Sequence, residues 1–144
     1  MNYLNKIQSQ ARLKGAIDKL KRQGKRIAFT NGCFDILHYG HIKYLQDAKR
    51  ASDVLVLGLN SDASVKKIKG KKRPLNKQID RARVLAALSC VDYLTVFNQD
   101  TPLKLIKLLK PDILIKGGDW EADKIIGAEF VKSYRGQVKT IPYL

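Results

Sequence analysis

The sequence predicts a doubly wound parallel α/β fold: a single five-stranded sheet with helices on both faces, preceded by an N-terminal helix. Three observations carry this. Apolar runs of strand length recur at 27–30, 54–59, 93–97 and 113–116, and Val138 to Ile141 reads as a last strand. Segments with apolar residues at helical spacing separate them. The alternation occurs without internal repeat, low-complexity tract or linker in 144 residues, a length that suits one compact domain. Strand–helix–strand units of this kind join by right-handed crossovers into a parallel sheet.

Taken in order, residues 5–23 place Ile7, Ala11, Leu13, Ile17 and Leu20 near helical spacing, and Gly24 reads as the stop. Residues 1–24 are thus expected as an N-terminal helix and 25–144 as the main domain. Ile27 to Thr30 reads as a buried strand, 31–40 as a loop, and His41 to Ala51 as a helix through Ile42, Leu45 and Ala48. Val54 to Leu59 is an unbroken apolar run bounded by Asp53 and Asn60, the signature of a strand covered on both faces. A short helix over 63–68 and a basic surface loop over 69–77, with Gly70 and Pro74, follow. Residues 78–89 read as a helix on Ile79, Ala82, Val84, Leu85 and Leu88. Tyr93 to Phe97 is a strand, Pro102 opens a helix that 103–109 continue, and Gly117 and Gly118 break the strand at 113–116. A helix over 124–134, a stop at Gly136 and a strand over 138–141 complete the pattern.

Composition narrows the partners. Lys and Arg number 28 against 13 Asp and Glu, a net charge of +15. A chain this basic seeks anions: nucleic acid, an acidic membrane surface or phosphorylated small molecules. Lysine enrichment also accompanies thermophily. Aromatics are only 8 % and no nucleic-acid motif appears, which argues against a nucleic-acid partner. No apolar run approaches the roughly 20 residues of a membrane span. Met1 to Lys25 lacks the apolar core of a signal peptide, so the expectation is a cytoplasmic protein without a membrane partner. Cys33 and Cys90 stand alone, no CxxC occurs and His38 and His41 are the only histidines; no protein metal site is expected. Neither a GxxxxGK[ST] nor a GxGxxG loop is present, so kinase, ATPase and dehydrogenase readings lack their phosphate loops.

Ligands of such sheets bind beyond the carboxyl ends of the strands, where strand order reverses. That points to the loops at 31–40, 60–62 and 117–120. The stretch from Thr30 to His41 holds both histidines, three apart, at an expected helix start, with Gly40 between them. Helix N-termini attract anions, glycine admits close backbone approach, and imidazole N–H groups donate to phosphate oxygens. The alternative is that the two rings only cap and pack the helix. Lys66 to Arg73 carries six basic residues in eight, either a flap over phosphates or a solvated loop. Lys116-Gly117-Gly118-Asp119-Trp120 suits a nucleobase pocket or a tight turn with a packing Trp. Asn60 and Asp62 can bind hydroxyls or cap the next helix, Asp35 can bind substrate or brace its loop, and Phe34 reads as core.

The pattern His38-Tyr39-Gly40-His41, preceded by Gly32-Cys33-Phe34-Asp35, resembles the HIGH-motif nucleotidyltransferases, whose sheet is Rossmann-like. With Asn60-Ser61-Asp62, Lys69-Gly70, Arg73-Pro74, Asp100-Thr101-Pro102 and Lys116 to Asp119 in order, the chain from about Lys25 to Leu144 is more specifically similar to the heptose 1-phosphate adenylyltransferases. Glycerol-3-phosphate cytidylyltransferases share the first loop and a Gly-Asp-Trp stretch, and are the alternative.

The resemblance implies transfer of AMP from ATP to a sugar 1-phosphate, with release of pyrophosphate and formation of an ADP-sugar; the alternative implies CTP and a polyol phosphate. It implies catalytic roles for His38, His41 and Lys69. It implies nucleotide contacts from Thr30, Asn31, Gly32, Cys33, Phe34, His38, Gly40, His41, Lys116, Gly117, Gly118 and Asp119. Substrate contacts would come from Asp35, Asn60, Asp62, Lys69, Arg73 and Arg81, although Arg81 also reads as a surface salt bridge. Mg2+ held mainly by nucleotide phosphates, and a homodimer, follow from the same resemblance. Such proteins continue past the last strand into a Ser/Thr-rich turn that also grips phosphate; here the sequence stops at Leu144, and a chain without that turn would hold only part of the cradle.

Overall fold

A computed structural model of the chain describes residues 2–118 and 124–142. The expected strands form as β1 (Ile27–Gly32), β2 (Val54–Asn60), β3 (Tyr93–Phe97), β4 (Ile113–Gly117) and β5 (Gln137–Ile141). All pair in parallel, in the order β3-β2-β1-β4-β5. The chain thus winds outward from β1 in one direction and, after β3, returns to wind outward in the other. The reversal falls between β1 and β4, where a crevice at the strand ends is expected. There the ladder pairs only Ala28 with Ile113 and Phe29 with Leu114. By contrast, β1 and β2 pair along the whole of Ile27–Gly32.

Side chains alternate across the sheet with the strand period. Ala28, Leu55, Leu57, Leu59, Ile113 and Ile115 face one core, filled by Tyr44, Leu45 and Ala48 of α2 (Tyr39–Arg50) and Ala82 and Leu85 of α4 (Gln78–Ala86). Ile27, Phe29, Val54, Val56 and Leu114 face the other. That core is filled from α1 (Gln10–Arg22), α5 (Leu103–Leu109) and α6 (Ala128–Ser133). The remaining helix, α3 (Asp62–Lys69), follows β2 directly. Leu13 and Ile17 of α1 are fully buried, so the N-terminal helix belongs to the same core rather than preceding it. Truncating such a side chain costs about 2–5 kcal/mol.

Helix boundaries differ from expectation where a local group overrides periodicity. Helix α1 begins at Gln10, because Ser9 caps it by accepting from the Arg12 amide and Ile7 is held extended against Leu94. Helix α4 ends at Ala86, three residues early. Helix α6 begins only at Ala128, because Gly127 has φ +90°, a left-handed conformation incompatible with a helix interior.

Candidate active site

Four strands, β1, β2, β3 and β4, are followed by residues that build the site. Strand β1 leaves the sheet at Gly32 and turns through Phe34, which has φ +46°. A left-handed phenylalanine costs roughly 1–3 kcal/mol and persists only where its surroundings fix it. Its buried ring lies against Gly32, where an added Cβ would fall 2.8 Å from the ring. The same ring meets His41 edge-on at 5.6 Å between centroids.

Helix α2 then opens with a reciprocal cap made by two imidazoles. His38 is the N-cap, and its Nδ1 accepts from the Gly40 amide at 3.0 Å. Nδ1 of His41 accepts from the His38 amide at 3.2 Å. Since Nδ1 accepts in both, each neutral ring carries its proton on Nε2. Both readings of the histidines are therefore compatible: one nitrogen caps, and the other is a donor. The rings lie 4.0 Å apart. Burial, then the charge of His38 and of Lys69, holds the His41 pKa below the ordinary histidine value.

A cleft of about 370 Å³ opens at these strand ends. Of the residues selected from sequence, it brings together Asn31, Gly32, Cys33, Phe34, His41, Asn60, Lys69 and Lys116. Lys69 closes α3, and Lys116 stands near the end of β4 across the sheet reversal. Burial pushes the Lys116 ammonium below the usual lysine range, with Cys33 acting the other way, and burial pushes the Cys33 thiol up. The cleft therefore presents an imidazole and two ammonium groups, a set suited to phosphate oxygens.

Thr30, Asp35, His38, Gly40, Asp62, Arg73, Arg81, Gly117 and Gly118 are not among the lining residues. Thr30 is fully buried, its Oγ1 hydrogen-bonded to the Tyr44 hydroxyl at 2.6 Å. Asp35 is turned inward: its carboxylate accepts from the Leu75 and Asn76 amides, both at 2.8 Å, and from Arg73 at 3.3 Å. Burial works to raise its pKa, but these donors outweigh it and hold the carboxyl below the usual range. Asp62 accepts from the Gln78 amide at the start of α4, and Arg81 is buried among loop carbonyls. Asp119 and Trp120 lie outside the described residues.

The structure adds Asp100, Thr101 and Pro102 to the lining, together with Ile68 and Ile126. The first three stand among the ordered motifs of the sequence without an assigned role, and they follow the carboxyl end of β3 just as the selected loops follow other strands. Lys67 reaches Asp100 at 3.5 Å, but both side chains are mostly exposed, so the pair is worth little.

A sequence model of the cytidylyltransferase-like family matches residues 29–140. The bifunctional protein HldE of Geobacter metallireducens is 54 % identical over 139 residues, covering 96 % of this chain and 28 % of that protein. HldE of Syntrophotalea carbinolica is 52 % identical over 141 residues, covering 98 % and 29 % respectively. The chain thus spans less than a third of the length of these curated relatives. Among solved structures, a lipopolysaccharide core biosynthesis protein from Thermoplasma volcanium superposes with a TM-score of 0.66 at 29 % identity, covering 83 % of this chain and 97 % of that one. Pantothenate synthetase from Thermus thermophilus, at 16 % identity and a TM-score of 0.63 over 96 % of this chain and 62 % of that one, shares the fold.

Proposed function

The chain belongs to the cytidylyltransferase-like family and is a nucleotidyltransferase domain, and from that premise we propose that it transfers AMP from ATP to a sugar 1-phosphate of the heptose class, forming an ADP-sugar. The observation that carries the reading is the convergence of His41, Lys69 and Lys116 on one cleft at the sheet reversal. The ordered motifs, through their resemblance to the heptose 1-phosphate adenylyltransferases, support ATP and a heptose phosphate over CTP and a polyol phosphate.

The chemistry asks little of the protein beyond placement and charge. A phosphate monoester has a second pKa near about 6, so at neutral pH its oxygen is already an anionic nucleophile. That oxygen attacks the α-phosphorus, a new P–O bond forms, the bond to the β-phosphate bridging oxygen breaks, and pyrophosphate leaves with the electron pair. No general base is required. Neutral His41 donates through Nε2–H, while Lys69 and Lys116 offset the charge gathering on the phosphate oxygens. His38 acts through the helix cap that orients His41.

Among the described residues no group of three or more His, Cys, Asp or Glu is arranged to hold a metal ion, and Asp100 is the one carboxylate in the cleft lining. A magnesium ion fits this site as a companion of the nucleotide, held by phosphate and water oxygens, where it would neutralise triphosphate charge. Among the described residues no helix is long and apolar enough to cross a membrane. The family resemblance further implies a homodimer, which sedimentation tests directly.

The test is magnesium-dependent pyrophosphate release with ATP and CTP in parallel, each with heptose 1-phosphate and with glycerol 3-phosphate. Release confined to ATP with the heptose phosphate supports the proposal. Release confined to CTP with glycerol 3-phosphate overturns the substrate assignment.

A further inference from the structure

We infer that Arg81 is a positioning residue: from behind the cleft, its buried guanidinium fixes the relative placement of the histidine loop, the end of β2 and helix α3, and so the separation of His41 from Lys69. Arg81 is 3 % exposed and does not line the cleft. Its Nη1 donates to the Cys33 carbonyl at 2.7 Å and to the Asn60 carbonyl at 2.9 Å. Both residues line the cleft, Cys33 just after β1 and Asn60 at the end of β2. Its Nη2 donates to Asp62 Oδ1 at 2.8 Å, at the first residue of the helix that ends in Lys69. Its Nε donates to the Asn76 carbonyl at 2.9 Å. Asn76 is gripped a second time from the histidine loop, through its amide on Asp35 Oδ1 and its side chain on the Asp35 carbonyl.

These four hydrogen bonds run from one rigid plane to separate chain segments. They engage all but one of the guanidinium N–H groups, which sets Arg81 apart from an arginine aimed at a substrate phosphate. Lysine cannot reproduce the arrangement, because its single ammonium on a flexible stem reaches one locus rather than several fixed directions. An arginine that only stabilised the fold would act on melting temperature. One that sets the spacing of two phosphate-binding groups acts on the transition state, where a displacement near 1 Å costs on the order of 10²-fold in rate.

The experiment compares wild type, R81K and D62N. D62N keeps the Oδ1 acceptor while removing the charge that Nη2 meets. Two readouts are taken: kcat and KM for pyrophosphate release, and the NMR titration midpoint of the His41 ring, which senses Lys69 and the enclosing walls. The kinetic arm rests on the nucleotidyl-transfer reading; the NMR arm does not. In folded R81K, kcat is expected to fall about 10²-fold with nucleotide KM little changed, and the His41 midpoint to move up toward the ordinary histidine value. D62N is expected to change both in the same direction by less. An unchanged His41 midpoint in folded R81K overturns the inference, as does a kcat loss no greater than the fraction unfolded. If R81K does not fold, an unchanged midpoint in D62N overturns it. If wild type releases no pyrophosphate with any nucleotide, the reaction assignment fails while the NMR arm still decides the role of Arg81.

Discussion

Replacing His41 by alanine and by glutamine separates the two contributions of a single imidazole. Alanine removes the Nε2 donor from the cleft, the edge contact with Phe34, and the Nδ1 acceptor that holds the His38 amide at 3.2 Å. Loss of one preorganised donor to the developing phosphate charge lowers kcat by about 10²–10³, equivalent to about 2.7–4 kcal/mol. Loss of half of a reciprocal cap costs about 1 kcal/mol of stability, a fall of about 2–4 °C in Tm for a chain of this size. Glutamine is a natural partner at the third position of a capping box, so H41Q should regain most of that stability. It should not regain the rate, since the oxygen that caps turns its amide nitrogen away from the imidazole Nε2 position. Steady-state pyrophosphate release and thermal melts on the same preparations give both numbers. If both variants retain kcat within about threefold of wild type, His41 is only a cap and the phosphate-donor argument is wrong.

Three further perturbations follow from the geometry. The folded pKa of His41 lies below 6.5, so as pH falls below that value the unfolded chain binds a proton that the folded chain resists, and stability declines. The stabilisation from Asp35 is complete above its ordinary value of 3.8 and is lost as pH falls through its lower folded value. Urea midpoints should therefore drop in two stages on acidification, and H41Q should lack the first. Gly58 of β2 has no room for a methyl group: a Cβ there would lie 2.8 Å from the Phe29 ring and 3.2 Å from Leu105, both buried. G58A should cost about 1–3 kcal/mol by overpacking, read as a lower urea midpoint; an unchanged midpoint would show that the ring yields freely. Asp35→Ala leaves the Leu75 and Asn76 amides without their acceptor, at about 1–3 kcal/mol each, and should make residues 69–77 the first site of limited proteolysis. Equal cleavage rates in wild type and variant would mean that Asp35 does not tie the basic segment down.

The first four strands were legible because each is an apolar run too short for a helix, and the last because Gly136 stops the preceding helix before Val138 to Ile141. Their order followed from alternation with helices, and with it the place of the cleft. What escaped the sequence was the direction in which polar side chains point. In α4, Ile79 and Val84 supply helical periodicity yet are exposed, while Arg81 is buried. A charged residue is normally assigned to solvent, and only the Asp62 carboxylate together with the carbonyls of Cys33, Asn60 and Asn76 makes its burial favourable. Asp35 was equally ambiguous: its loop position suits a ligand, but its amide partners come from 40 and 41 residues later. Ser61 rather than Asn60 or Asp62 caps α3, a choice made by backbone angle and not by residue type, since all three are good caps.

The short ladder between β1 and β4 makes the two halves of the sheet adjoin along a narrow seam. Past Phe29 and Leu114 the strands are stitched by a side chain: Thr30 donates to the Tyr44 hydroxyl, which donates to the Ile115 carbonyl at 3.3 Å. A nucleotide seated in the cleft would touch Asn31 and Cys33 on one half and Lys116 on the other. It would act as a clasp across that seam. Amide hydrogens of β4 near Ile115 would then exchange with deuterium more slowly when nucleotide is bound, while those of the long β1–β2 ladder, already shielded, would change little. A nucleotide so seated would take the place of the missing rungs.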